Sequence, residues 1–166
     1  KKPKKMRITV SGSLGSLVTP KDLALHWINS ISTGGAKGFA IEYAGPTIRS
    51  MSMEGRMTLC NMSIEGGARM GMIAPDDVTY NYIEGRPFAP TGGNWDLAMN
   101  DWSLLCSDYG ANFDKEINIS ARDIAPSVTW GTSPDESLPI SCRVPNPKYV
   151  TGAKRKKIIE SLEYMG

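Results

Sequence analysis

Two polar side chains are spaced so that they could hold a small polar ligand together. Asn61 and Glu65 lie four positions apart in a segment with helical periodicity. Their side chains therefore project from the same side of the predicted helix, just before the chain turns at Gly66 and Gly67. A carboxamide and a carboxylate beside a glycine loop suit a polar ligand. From the pattern alone, the alternative is that both are solvated helix residues.

A second polar segment, Gly131 to Ser133, follows a short apolar run. Two hydroxyls beside a glycine at the end of a strand could hydrogen-bond an anion. A motif this short is not specific. No phosphate loop, dinucleotide fingerprint or Ser, His and Asp nucleophile arrangement accompanies it.

The cysteines and the single histidine do not follow a metal-site pattern. Cys60, Cys106 and Cys142 are far apart, no CxxC occurs, and His26 is the only imidazole. The odd count and the helical, apolar surroundings of Cys60 and Cys106 favour free thiols in a reducing compartment. His26 lies one residue off the apolar stripe of its predicted helix, which favours a boundary residue over a catalytic base.

Composition and charge indicate an ordinary globular domain. The chain has 166 residues, 40% of them hydrophobic, and a net charge of +2 that comes largely from clusters at residues 1–5 and 154–157. The remainder is slightly acidic, which argues against a nucleic-acid surface. No apolar run approaches the roughly 20 residues of a membrane helix, and no signal-peptide pattern is present. Because the chain lacks an initiator Met and stops after a helical segment, we expect a piece of a longer protein.

Strands and helices alternate along the chain, which predicts an α/β fold with parallel strand pairs and helices packed against the sheet. The predicted strands are residues 6–12, 38–45, 70–74 and 112–120. Alternation places these side chains inward: Met6, Ile8, Val10, Phe39, Ile41, Tyr43, Ile117 and Ile119. Residues 1–5 are predicted as a basic linker and residues 134–153 as a proline-rich connector.

The helices are predicted from caps and apolar spacing. Their expected starts are Thr19 with Pro20 and Asp22, Ser52, Asp76 or Asp77, Asn94, and Lys154. The helix after Ser52 should run to about Gly66 with its apolar face formed by Met53, Met57, Cys60 and Ile64. Trp95 and Trp102 are predicted core residues, and the C-terminal helix, 154–165, should bury Ile158, Ile159, Leu162 and Met165.

Three long strings occur in the order and spacing of a known enzyme family. They are residues 41–77, IEYAGPTIRSMSMEGRMTLCNMSIEGGARMGMIAPDD, residues 82–90, YIEGRPFAP, and residues 128–134, VTWGTSP. The sequence resembles the large subunits of the 3-isopropylmalate dehydratases, in the aconitase family, through nearly the whole chain. The resemblance implies one three-layer α/β/α aconitase-type domain over residues 1–166, with a mixed, partly parallel sheet. It corresponds to the second, cluster-adjacent domain of such an enzyme.

The resemblance also implies a reaction and a cofactor. The full-length protein would be a hydro-lyase interconverting 2-isopropylmalate and 3-isopropylmalate through isopropylmaleate in leucine biosynthesis, while the fragment alone would be inactive. A homoaconitase-type hydro-lyase of lysine biosynthesis and a non-catalytic scaffold domain both stay open. The family's [4Fe-4S] cluster is held by cysteines of an SCTN and a CxxC motif. Neither occurs here, so the ligands are expected outside this fragment and no residue here is assigned to metal.

The family's string CNM followed by a glutamate appears as Cys60 to Met62 with Glu65. By resemblance, Asn61 lies beside the cluster, and Glu65 belongs to the acid/base network, paired with a histidine outside the fragment. Arg56 and Arg69 are expected to form surface salt bridges. The implied partners are the remaining domains of the large subunit, a small subunit that completes the site, and a hydroxy-dicarboxylate substrate, with no nucleic acid or membrane. The implied location is the cytoplasm, or the mitochondrial matrix or plastid of a eukaryote.

Overall fold

The computed structural model describes residues 2–166 and is built on a four-stranded sheet. The strands are β1 (Lys4–Ser11), β2 (Phe39–Ala44), β3 (Met70–Ile73) and β4 (Lys115–Ser120). Their order is β3-β2-β1-β4, and every neighbouring pair is parallel. The α/β class is confirmed, and this sheet is fully parallel because a helix-containing crossover joins each strand to the next. A separate antiparallel hairpin consists of β5 (Ser127–Thr129) and β6 (Ser137–Pro139).

Helices lie on both sides of the sheet. They are α1 (Pro20–Ile31), α2 (Pro46–Arg49), α3 (Met53–Met62), α4 (Asp77–Ile83), α5 (Gly93–Ser103) and α6 (Gly152–Met165). The chain moves from β1 to β2 to β3 in one direction, so right-handed crossovers place α1 and α3 side by side on one face. The return from β3 to β4 contains α4, which contacts α3, and α5. Within residues 2–166, no helix is both long and apolar enough to span a membrane.

The main core lies between the sheet and the layer of α1 and α3. The inward positions predicted for the strands are largely confirmed, because these side chains are buried: Met6, Ile8, Val10, Ile41, Tyr43 and Ile119. Phe39 and Ile117 are partly buried at the edge of this core. β1 begins at Lys4, so Lys4 and Lys5 of the predicted basic linker pair with β2; Lys1 lies outside the described residues.

Helix α1 begins as predicted. The Thr19 side chain accepts a hydrogen bond from the Asp22 backbone N–H, and the Asp22 carboxylate accepts one from the Thr19 N–H at 2.7 Å. This capping box satisfies donors that the first helical turn leaves free. Leu23, Trp27 and Ile28 are buried with no exposed surface, which fixes this helix firmly on the sheet.

The apolar face predicted for α3 is wrong. Met57 and Ile64 are 40% and 57% exposed, while the buried residues include Gly55, Leu59 and Met62. With 3.6 residues per turn, these lie on roughly the opposite side of the helix. Packing decides the orientation, because a Cβ on Gly55 would lie 2.8 Å from a ring carbon of Pro20, so α1 and α3 meet at this glycine. The helix also ends at Met62, before the predicted Gly66, and turns follow.

Helix α5 is present, but the predicted core role of its tryptophans is wrong. The helix is capped by Gly92 rather than Asn94 and has no buried residue. Trp95 and Trp102 contact each other edge to face, with ring centroids 5.7 Å apart, and Trp102 stacks on Tyr80 at 6.2 Å. Since these partners belong to α4 and α5, the buried Tyr80 ring and the two half-buried tryptophans form a small cluster apart from the main core.

The C-terminal part is more regular than predicted. The connector predicted at 134–153 contains β6 and a 3₁₀ turn at Pro147–Tyr149. Helix α6 begins at Gly152, and of its predicted apolar face only Ile158 is fully buried, while Met165 is 52% exposed. Ser161 is buried instead, because α6 faces a polar group of the hairpin turn described below.

Candidate active site

A cavity of about 480 Å³ opens between α1, α3 and the β5–β6 hairpin. Its lining residues are Lys21, Leu25, Thr58, Asn61, Met62, Glu65, Thr129, Gly131, Thr132, Ser133 and Pro134. The two polar segments singled out in the sequence, the Asn61 and Glu65 pair and Gly131 to Ser133, therefore lie in one cavity. The fold brings them together although they are far apart along the chain.

Helix α1 holds the hairpin that forms one wall of this cavity. The Ser127 N–H donates to Asp22 Oδ1 at 2.8 Å, so the carboxylate that caps α1 also binds the first hairpin strand. The Asn29 side-chain amide donates to the Ser137 carbonyl at 2.7 Å on the second strand. Two polar contacts from one helix thus set the distance between the hairpin and α3.

Asn61 and Glu65 are placed by the end of α3. Asn61 lies in the last turn of the helix, and Glu65 lies in the turn that follows it. Two glycines fix this turn. Gly66 packs directly on the Trp27 ring, where a Cβ would lie 2.3 Å from a ring carbon, and Gly67 adopts a φ of 89°, which favours glycine. Both polar side chains are exposed at the cavity, and within residues 2–166 neither is bonded to another side chain. Their hydrogen-bonding groups are therefore available to a ligand.

The charged lining residues are Lys21 and Glu65. An ammonium group can attract a ligand carboxylate, a glutamate can accept or donate a proton, and the Asn61 carboxamide offers both a donor and an acceptor. The Thr132 hydroxyl adds a neutral hydrogen-bonding group, and that of Thr58, which donates to the Glu54 carbonyl at 2.9 Å, adds an acceptor. This combination suits a small acid that also carries a hydroxyl.

The anion site predicted at Gly131 to Ser133 already contains an anion from the protein itself. The backbone N–H groups of Thr132 and Ser133 donate to Glu136 Oε2 at 2.7 and 3.1 Å. A Cβ on Gly131 would lie 2.2 Å from this oxygen, so the carboxylate needs a glycine there. Glu136 therefore occupies the backbone donors of this segment. Of the two hydroxyls predicted to bind an anion, that of Ser133 donates to Asp135 Oδ1 at 2.5 Å, so it too is bound to a carboxylate of the protein.

Arg56 and Arg69 take different positions from those predicted. Arg56 forms the expected salt bridge, with Nη1 2.6 Å from Asp76 Oδ1, but it is only 3% exposed and so is not on the surface. The Arg56 guanidinium tolerates burial because it also donates hydrogen bonds to the carbonyls of Arg49 and Met51. Arg69 is exposed and forms no salt bridge with any residue from 2 to 166.

The three cysteines are unpaired, with Cys60 half-buried and Cys106 and Cys142 exposed. Burial raises the pKa of the Cys60 thiol, which disfavours the thiolate needed of a ligand or nucleophile. Across residues 2–166, no group of three or more His, Cys, Asp or Glu could hold a metal ion. These residues therefore do not fit the ligand set of an iron-sulfur cluster. His26 lines a separate cavity of about 310 Å³ beside Asp123.

Comparison with known protein families assigns the class. The profile of the aconitase family (aconitate hydratase) matches residues 1–166, and the chain belongs to this family. Its members are hydro-lyases that generally use a [4Fe-4S] cluster.

Lys21, which lines the cavity, and Glu136, which holds its wall from behind, were not predicted from the sequence. Lys21 follows Pro20 in the first turn of α1, and a lysine at this position does not by itself indicate a ligand-binding residue. Glu136 lay in the predicted connector, although its position three residues after Ser133 is the spacing at which a carboxylate reaches back to a backbone N–H.

Proposed function

We propose that this chain is the second, cluster-adjacent domain of a 3-isopropylmalate dehydratase large subunit. The parent enzyme would interconvert 2-isopropylmalate and 3-isopropylmalate through isopropylmaleate. The observation that supports this proposal is that Asn61 and Glu65 line one cavity with Lys21. A hydroxy-dicarboxylate has the acidic and hydroxyl groups that these three side chains can bind.

Each side chain has a proposed part. Lys21 attracts a substrate carboxylate, and Asn61, which by resemblance would lie beside the cluster, orients the polar end of the substrate. Glu65 belongs to the acid/base network and pairs with a histidine from another part of the enzyme, because a carboxylate behind a histidine sets its tautomer and raises its pKa. The cluster would supply Lewis-acid chemistry at the substrate hydroxyl. Its ligands, the other domains of the large subunit and the small subunit lie outside residues 1–166 in this proposal.

Turnover of matched substrates tests the proposal. The full-length protein would be produced with its small subunit, its cluster reconstituted, and hydration measured on isopropylmaleate, homoaconitate and cis-aconitate. We expect isopropylmaleate to give the highest kcat/KM. Preference for homoaconitate would move the chain to the lysine pathway, and no turnover of any of the three would support a scaffold domain.

A further inference from the structure

Glu136 is a carboxylate buried behind the cavity wall. Only 2% of the residue is exposed, and it does not line the cavity. Its Oε2 accepts hydrogen bonds from the N–H groups of Thr132 and Ser133. These two residues do line the cavity. The backbone closes around the same turn, because the Glu136 N–H donates to the Ser133 carbonyl at 2.8 Å and the Trp130 N–H donates to the Glu136 carbonyl at 2.9 Å.

The second carboxylate oxygen connects this turn to helix α6. Ser161 Oγ donates to Glu136 Oε1 at 2.9 Å, and Lys157 Nζ lies 3.3 Å from the same oxygen. Burial raises the pKa of Glu136, but the hydrogen bonds from Ser161 and Thr132 and the nearby Lys157 outweigh it and hold the pKa below its usual value. The group is therefore ionised at neutral pH, and each of its oxygens accepts hydrogen bonds that strengthen with that charge.

We propose that Glu136 is a positioning residue, which fixes the wall segment Gly131 to Ser133 at the distance from Asn61 and Glu65 that substrate binding requires. The kinetic consequence of this proposal rests on the proposed function, whereas the fixing of the wall does not. Because Glu136 lies behind the cavity, it acts on the substrate only through the wall. Its loss should weaken binding and raise KM, with kcat changing little once the site is saturated.

Amide hydrogen exchange tests the fixing of the wall directly. In the full-length enzyme, Glu136→Ala should raise the exchange rates of the Thr132 and Ser133 amides by about tenfold or more, since both lose a charged acceptor. Glu136→Gln keeps one oxygen acceptor and should give a smaller rise. The control Glu163→Gln removes an exposed carboxylate from α6 and should change neither rate. Unchanged exchange at Thr132 and Ser133 in Glu136→Ala, or an equal rise at the core amide of Ile8, would overturn the proposal.

Steady-state kinetics separate positioning from stability. We expect Glu136→Ala to raise KM about tenfold with kcat within about twofold, and Glu136→Gln to restore much of the KM. If Glu136→Ala only reduced the fraction of folded enzyme, the apparent kcat would decrease while KM stayed unchanged. That result would also overturn the proposal. If the unaltered enzyme turns over none of the three unsaturated acids, the proposed function fails, and the exchange rates alone decide whether Glu136 fixes the wall.

Discussion

Arg56 and Asp76 form a two-point ion pair that joins the middle of α3 to the start of α4. Nη1 lies 2.6 Å from Oδ1, and Nη2 lies 2.8 Å from Oδ2. Asp76 is also the N-cap of α4, with its side chain accepting from the N–H groups of Val78 and Thr79. The Asp76 carboxylate thus caps the positive N-terminal end of α4. It also neutralises the buried guanidinium of α3, the helix that carries Asn61.

Loss of this guanidinium should destabilise the fold strongly. Arg56→Met would remove the guanidinium donors of Asp76 and of the Arg49 and Met51 carbonyls, and we expect it to lower the free energy of unfolding by about 3 kcal/mol or more. Urea denaturation measures this change. The matched variant Arg49→Met alters an exposed side chain and should stay within about 0.5 kcal/mol of the unaltered protein. Equal stability of the two variants would show that this ion pair and the other hydrogen bonds of the buried guanidinium contribute little.

The contact between α3 and β3 depends on the absence of a side chain at Gly71. A Cβ there would lie 2.3 Å from Ser63 Oγ and 2.9 Å from Cys60 Cα, so Gly71→Ala must push α3 away from the sheet. We expect a loss of about 2 kcal/mol in the free energy of unfolding, measured by thermal and urea denaturation. Gly93→Ala, in helix α5 with open space around it, is the control and should be neutral or slightly stabilising. Equal effects of both substitutions would contradict the packing described for α3.

The carboxylates Asp76, Asp135 and Glu136 make stability depend on pH in the acid range. In each, burial raises the pKa, but the hydrogen bonds and nearby cations outweigh it and the pKa is lowered. Their stabilisation is therefore fully present above the unfolded pKa of about 4 and is lost as pH falls through the lower folded pKa. We expect the free energy of unfolding to be level above about pH 5 and to decrease steadily on further acidification.

A matched variant identifies the contribution of one carboxylate to this dependence. Glu136→Gln removes a group that binds a proton more readily in the unfolded state, so its stability should decrease less steeply below about pH 5. Urea denaturation at a series of pH values measures both slopes. Identical slopes for the variant and the unaltered protein would mean that Glu136 has the same proton affinity in the folded and unfolded states.

Local sequence patterns predicted two kinds of element: helices that begin at a clear N-cap, and strands in which apolar and polar residues alternate. Thr19 with Asp22 marked the start of α1, and Met6, Ile8 and Val10 marked the buried side of β1, because these patterns depend on neighbouring residues. The orientation of α3 could not be predicted in this way. Its methionine stripe was as periodic as a core face, and only the close approach at Gly55 shows which side meets α1.

The site was predicted in part for the same reason. The spacing of Asn61 and Glu65 indicated a shared helix side, and the glycine and hydroxyls at 131–133 indicated a polar turn. Their common cavity depends on the long-range bonds of Asp22 and Asn29 to the hairpin, which no local pattern contains. The anion that occupies the turn was likewise not predicted, because Glu136 lay in a segment expected to be irregular.

In the proposed function, Glu65 takes part in the acid/base chemistry of a hydro-lyase. The most direct measurement is kcat with isopropylmaleate for Glu65→Gln in the reconstituted full-length enzyme, with cluster content recorded by absorbance. The control is Glu54→Gln, which changes an exposed carboxylate of α3 that does not line the cavity. We predict that Glu65→Gln lowers kcat by about 100-fold or more at unchanged cluster content, while Glu54→Gln has no effect. A kcat within about twofold of the unaltered enzyme for Glu65→Gln would contradict an acid/base role of this residue.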